Sequence, residues 1–249
     1  QRLAHADLRV LADTTLAIPA LMALLKAKAP RNGEWLKSIA NLRDAARTQW
    51  EKEAKEDWDA SPITLPRLAT EVWNAIKDED WVLTAGTLDE WARRVWDFDE
   101  PYRHPGKSLG TATQIGISRG GALAHREHKR IVVDIQPDGD LMFDAGALWI
   151  AAKYQIPMLV VMYNNRAYYN DWEHQIRMAR LRGTPIERAH IGMDLEGPNV
   201  DFAGLAKSMG WYAEGPIEHG KDVGPALKRA IARVKAGQPA LLDTITQKR

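Results

Sequence analysis

Pro137-Asp138-Gly139-Asp140 closes one strand-like run, Ile131-Val132-Val133-Asp134-Ile135-Gln136, and Asn164-Asn165 closes the next, Pro157-Met158-Leu159-Val160-Val161-Met162-Tyr163. Between them lie 24 residues, 140 through 163, enough for one crossover of loop, helix, loop and strand. Two parallel strand ends then present a carboxylate and a side-chain amide side by side at the C-terminal edge of a sheet, where open α/β sheets bind ligands. An Asp oxygen with an Asn carbonyl oxygen is a hard donor set, suited to Mg²⁺ that also holds phosphates.

Working outward, helices and strands alternate. Thr64 is placed to cap a helix carrying Leu65, Leu68, Ala69, Val72 and Ile76 at helical spacing. Trp81-Val82-Leu83-Thr84 reads as a short strand ending at Gly86, followed by a helix from about Leu88. Helices are expected over 116–124, 145–154, 202–209 and 220–236, and a last strand over Ala240-Leu241-Leu242-Asp243-Thr244-Ile245. Residues 166–198 show no clear period and read as a long irregular segment beside a strand end, commonly a functional one. The pattern predicts an α/β fold, a parallel sheet with helices on both faces. Upstream, Leu8-Arg9-Val10-Leu11-Ala12 reads as a strand before an apolar helix, and residues 34–59 as a charged helix without a sustained apolar face.

Composition sets outer limits. The 249 residues are 45% hydrophobic and 27% charged with a net charge of +1, which gives no electrostatic argument for nucleic acid or a membrane surface as partner. No apolar run approaches a membrane span of roughly 18 residues. There is no cysteine, so neither disulfide nor thiol chemistry is available, and a cytoplasmic enzyme is expected. The first residues show no signal peptide and no initiator Met, and read like the middle of a protein. Ten tryptophans are expected mostly as packing anchors. The histidines have no metal-ligand spacing, no nucleophile elbow accompanies any Ser, and Asp138-Gly139-Asp140 lacks the rest of a Ca²⁺ loop. No Gly-x-Gly-x-x-Gly follows a strand, which argues against a nicotinamide-dependent dehydrogenase.

The paired strand ends resemble the Gly-Asp-Gly…Asn-Asn motif of thiamine diphosphate enzymes, in particular the acetolactate synthase-like decarboxylases and carboligases. The resemblance implies that Asp138, Asn165 and the carbonyl of Ala167 hold Mg²⁺, which clamps the cofactor diphosphate, with Gly139, Asp140 and Tyr168 near it. One departure is Pro137 in place of the first Gly, which removes an amide that could meet a phosphate. The strand-to-helix turn at Gly86, Thr87 and Leu88 corresponds to a diphosphate-contacting turn, the last through its backbone alone; without the resemblance Thr87 reads as a helix cap. Aligning through Gly116 puts Ile115 where a large aliphatic side chain bends the cofactor, or else Ile115 is an ordinary core residue; Gln114 is placed to reach the pyrimidine edge. Tyr168, Tyr169 and Trp172 follow the metal site, with Trp172-Glu173 resembling a Trp-Glu pair of acetolactate synthases at an offset of two, or serving as packing anchors.

The family also needs a Glu beside the pyrimidine ring, supplied by a separate pyrimidine-binding domain that nothing here matches. Residues 1–29 resemble the tail of a central domain, 30–60 a linker helix, and 61–249 a complete diphosphate-binding domain. The implied protein is a Mg²⁺- and thiamine diphosphate-dependent lyase or carboligase acting on a 2-keto acid or related small-molecule carbonyl donor. It would work only with a pyrimidine-binding partner, on the same longer polypeptide or another subunit, within a dimer or tetramer. Decarboxylase, synthase and acyl-CoA lyase stay open, and the alternative is a non-catalytic structural or regulatory subunit that keeps the fold.

Overall fold

The computed structural model describes residues 5–28, 33–86, 90–105 and 111–248, in two compact units, Gln1–Ala46 and Arg47–Arg249. In the first, Asp13 starts α1 (Thr14–Lys28) by accepting from the Thr15 amide at 2.8 Å and the Thr15 hydroxyl at 2.6 Å. The strand expected at 8–12 does not form. Leu8, Val10 and Leu11 are exposed and no described strand pairs with them, and a strand without a ladder has nothing to hold it. The charged stretch is a helix as expected, α2 (Gly33–Ala54), with its residues from Arg47 on in the second unit.

In the second unit, Thr64 caps α3 (Leu65–Ile76), its hydroxyl accepting from Arg67 N at 3.3 Å. There follow β1 (Trp81–Gly86), α4 (Trp91–Val95), α5 (Gln114–His125), a 3-10 turn (Arg126–His128), β2 (Ile131–Pro137), α6 (Asp138–Phe143) and α7 (Ala147–Lys153). Then come β3 (Leu159–Asn164), α8 (Tyr169–Arg182), α9 (Phe202–Ser208), β4 (Tyr212–Ile217), α10 (Gly220–Lys235) and β5 (Ala240–Ile245). The sheet is entirely parallel in the order β1-β2-β3-β5-β4. Alternate strand residues feed two cores. Val133, Ile135 and Val161 pack with α3 and α10 through Leu68, Val72 and Leu227. Val132, Val160 and Met162 pack with α5, α7 and α9 through Ile115, Leu148 and Phe202. Burial on both faces explains why β2 and β3 read as near-continuous apolar runs. Trp73, Trp81, Trp96 and Phe98 contact one another edge to face or stacked, and Trp96 Nε1 donates to Ala69 O at 2.8 Å, so these tryptophans are packing anchors.

Three local expectations are corrected. The crossover after β2 has no leading loop: α6 starts at Asp138, with Pro137 as its N-cap at φ −66°, an angle proline already holds. The supposedly irregular 166–198 contains α8, a 14-residue helix with no buried residue. Its half-buried residues, Tyr169, Trp172, Ile176 and Ala179, recur at helical spacing but make only a narrow stripe among charged ones; its other signals are the basic Arg180 and Arg182 in the last turn and Gly183 at φ +64° as C-cap. The edge strand β4 was also not expected. Its sequence, Tyr212-Ala213-Glu214-Gly215-Pro216-Ile217, carries Gly and Pro, and the pairing with β5 slips between Glu214 and Ile217, which an edge tolerates.

Candidate metal and cofactor site

β2 and β3 pair in parallel with Pro137 opposite Tyr163, so Asp138 and Asn165 each stand one or two residues past paired positions at the same sheet edge. One backbone amide joins them. Ala167 N donates to Asp138 Oδ2 at 3.1 Å and to Asn165 Oδ1 at 3.0 Å, while Gly139 N donates to Asp138 Oδ1 at 2.9 Å. Asp138 and Asn165 are buried, and burial is the main cause that lifts the Asp138 carboxyl to a pKa of about 6, against the pull of these amides. No donor among the described residues takes the Ala167 carbonyl. The residues that the motif singles out therefore meet: a buried carboxylate short of positive charge, an amide oxygen and a backbone carbonyl. Among the described residues no three His, Asp or Glu converge, so a cation here would draw on this mixed set.

The loop bearing Ala167 is held on both sides. Tyr168 N donates to Met193 O and Leu195 N to Arg166 O, each at 2.8 Å, pairing 166–168 antiparallel with 193–195. From beneath, Asn164 Oδ1 accepts from Arg166 N at 3.3 Å and Asn164 Nδ2 donates to Asp243 Oδ1 at 2.8 Å. Asn164 and Asp243 are buried, and burial lifts Asp243 to about 6. Sequence reasoning missed Asp243. The available signal was an acid inside the otherwise apolar run of β5, which a buried strand keeps only with a partner.

The chain's similarity to known proteins fits this geometry. Residues 84–244, well over half of the chain, match the family model described as thiamine pyrophosphate enzyme, C-terminal TPP binding domain. The chain belongs to this family. The chain is similar to IlvX of Mycobacterium tuberculosis, a protein named for the acetolactate synthase large subunit, at 26% identity over 136 residues, 55% of this chain and 25% of that protein. Two solved structures share the fold: a thiamine diphosphate-dependent 4-hydroxybenzoylformate decarboxylase of Rhodococcus jostii RHA1 (TM-score 0.62, 23% identity, 76% of this chain and 34% of that one) and a benzoylformate decarboxylase from Polynucleobacter necessarius (TM-score 0.61, 19% identity, 76% and 34%). The chain thus spans a quarter to a third of the length of these relatives.

Within this thiamine pyrophosphate-binding fold the other expected residues fall as follows. Gly86 ends β1, beside Ile135 of β2; Thr87 and Leu88 lie outside the described residues. Gly139 has a role not foreseen: a Cβ there would lie 2.5 Å from two ring carbons of Tyr168, so the ring rests on the glycine. Tyr168 also contacts the Phe143 ring at 5.8 Å, and burial, then the nearby Asp138 charge, raises its pKa. Asp140 is already engaged within the chain, Oδ1 accepting from Ala112 N at 2.6 Å and Oδ2 from Gln136 Nε2 at 3.1 Å. It ties the residues before α5, where Ala112 has φ +65°, to the first turn of α6 beside Asp138. Ile115 is buried in the second core with Leu141 and Leu148, and Gln114 opens α5. Trp172 packs with Tyr169 and His190, at 6.0 Å from each ring, and under the Lys248 ammonium at 4.8 Å. On β2, Asp134 is fully buried and no hydrogen bond of good geometry reaches either carboxylate oxygen; burial raises its pKa to about 8, only weakly opposed by the nearby Ser118 hydroxyl, which already accepts from Thr84 Oγ1 at 2.7 Å.

Proposed function

We propose that this chain supplies the diphosphate- and Mg²⁺-binding half of the active site of a thiamine diphosphate-dependent lyase or carboligase acting on a 2-keto acid or related carbonyl donor. The observation that carries the reading is the shared Ala167 amide, which brings the buried Asp138 carboxylate and the Asn165 amide oxygen to one point beside a free carbonyl. A divalent cation would compensate the buried charge, and its remaining positions would take the cofactor diphosphate. Thiamine diphosphate, when bound, supplies a carbon nucleophile for carbonyl addition and accommodates the electrons left when a carbonyl fragment departs. The chain's residues bind and orient: Asp138, Asn165 and Ala167 at the metal, Gly86 and Gly139 near the diphosphate. Tyr168 and Phe143 would keep water from the metal loop, and Ile115 would support the cofactor through the first turn of α5.

The chemistry also requires the acid of a pyrimidine-binding domain, on the same polypeptide or another subunit, in a dimer or tetramer. Exposed apolar side chains beside Asp138 are in keeping with such docking: Met142 and Phe143, in the α6 turn that Asp138 begins, are both exposed. The retained Asp138 and Asn165 favour this reading over a non-catalytic subunit. A cytoplasmic location fits the lack of cysteine, and no helix among the described residues is long and apolar enough to cross a membrane.

The test is turnover of a panel of 2-keto acids and 2-hydroxyacyl thioesters by the assembled protein, scored as CO₂ release or carbonyl product. Activity that needs thiamine diphosphate, Mg²⁺ and the pyrimidine-binding domain is expected. Full activity after chelation, or inactivity of an assembly that binds the cofactor, refutes the lyase or carboligase assignment.

A further inference from the structure

At the sheet edge opposite Asp138, a cavity of about 880 Å³ opens where β2, β3, β4 and β5 begin, touched by Ile131, Pro157, Gly210 and Pro239. Its charged lining has one sign. Arg126, Lys129, Arg130 and Lys235 border it with His125, and no carboxylate does. Two of these cations are compensated from outside the lining: Arg130 Nε meets Asp80 Oδ1 at 2.8 Å, and Lys235 Nζ meets Glu79 Oε1 at 2.6 Å. Arg126 donates through Nη2 to the Tyr154 and Gln155 carbonyls at 2.6 and 3.2 Å. Neither Arg126 nor Lys129 has a carboxylate partner among the described residues. His125 is held below its ordinary pKa first by burial and then by the charges of Arg130 and His128, so the local field is positive even with Asp80 nearby.

Basic residues at helix ends commonly just complement the helix dipole, and Arg126 and Lys235 each do so. That role does not explain why two basic segments far apart in sequence border the same void. Nor does it explain the rest of the lining, which joins apolar Ala122, Ile131 and Val234 to the amides of Gln155 and Gln238. A concave, partly apolar surface with a few converging polar groups is the usual form of a small-molecule site.

We propose that this cavity binds a phosphate-bearing small molecule with an apolar ring, of the nucleoside phosphate class. Its phosphates would lie on Arg126 and Lys129 and its ring against Ile131, Pro157 and Pro239. The site is separate from the cofactor site, at the other end of the strands, and stands whether or not the lyase reading does.

The test is equilibrium dialysis of the full chain with ADP at physiological salt, which screens exposed charge. Saturable binding at one site per chain is expected, with adenosine and inorganic pyrophosphate each about tenfold weaker or worse, because each keeps only half of the contacts. The double variant Arg126→Glu, Lys129→Glu should lose binding by a similar factor, with a lowered melting temperature because Arg126 also holds the Tyr154 and Gln155 carbonyls; Lys129→Glu alone should weaken binding severalfold at an unchanged melting temperature, and Asp138→Ala should bind ADP normally. No saturable binding at millimolar ADP overturns the proposal. So does binding that survives the charge reversal, that pyrophosphate matches, or that thiamine diphosphate displaces.

Discussion

Asp243 Oδ1 accepts a 2.8 Å hydrogen bond from Asn164 Nδ2, joining the buried ends of β5 and β3 directly beneath the loop that presents Asn165 and Ala167. The first Asn of the pair thereby acts as a strut, its own oxygen passing the constraint to Arg166 N, where φ is +56°. Asp243→Ala leaves a buried amide unpaired, at a cost of about 1–3 kcal/mol in stability. It should also weaken Mg²⁺-dependent cofactor binding by about tenfold, the effect of losing a ligand's outer support. Asp243→Asn, which can still accept, should recover most of both losses. Urea unfolding and cofactor titration of the two variants separate these effects; equal cofactor affinity in Asp243→Ala would show that the strut does not serve the site.

The close approach of Tyr168 to Gly139 predicts a compensating pair. Gly139→Ala places a methyl 2.5 Å from the ring and should cost about 1–3 kcal/mol, the range for overpacking. Removing the ring with Tyr168→Ala should make the second substitution nearly harmless. A double-mutant cycle by urea unfolding checks this, and simple additivity would contradict the contact.

As the proposed metal ligand, Asp138 would link metal binding to pH. Its folded pKa of about 6 lies above the ordinary 3.8, so the folded chain holds the proton more tightly than the unfolded one. The stability contribution is therefore complete below pH 3.8 and lost as pH rises through 6, on the order of 3 kcal/mol by pH 7. Mg²⁺ needs the ionised form. Its affinity should fall about tenfold per pH unit below 6 and level off above, measurable by isothermal titration between pH 5 and 8.

Asp134 should remain protonated at neutral pH, given its pKa of about 8. Its stability contribution is likewise present below 3.8 and lost as pH climbs to 8. Asp134→Asn keeps the shape without the ionisation and should flatten that part of the pH-stability curve, gaining on the order of 4–5 kcal/mol at pH 7 to 8 where the unfolded wild type is ionised. Unchanged pH dependence in the variant would mean that Asp134 is solvated or paired in solution.

The parallel sheet and the meeting of Asp138 with Asn165 were legible because buried strands and a strand end bearing a buried carboxylate leave local marks: apolar runs, a carboxylate, an amide pair and a fixed crossover length. What escaped had a weak local mark or none. The apolar residues of α8, Tyr169, Trp172, Ile176 and Ala179, form only a narrow stripe among charged ones, β4 hides behind Gly215 and Pro216, and the strand expected at residues 8–12 finds no partner among the described residues. Asp140 looked like a cofactor contact from its place in the motif, yet its oxygens meet Ala112 and Gln136, two partners that only the folded chain brings near. Asp243 likewise gains meaning only when β5 is placed beside β3.

The most direct measurement is titration of the protein with thiamine diphosphate, with Mg²⁺ and with chelator, followed through tryptophan fluorescence. Saturable binding that requires Mg²⁺ and disappears in Asp138→Ala, while the variant's unfolding midpoint holds or rises, is predicted. Binding that ignores Mg²⁺ and survives Asp138→Ala, or no binding by the assembled protein, would contradict the assignment of this sheet edge as the metal and diphosphate site.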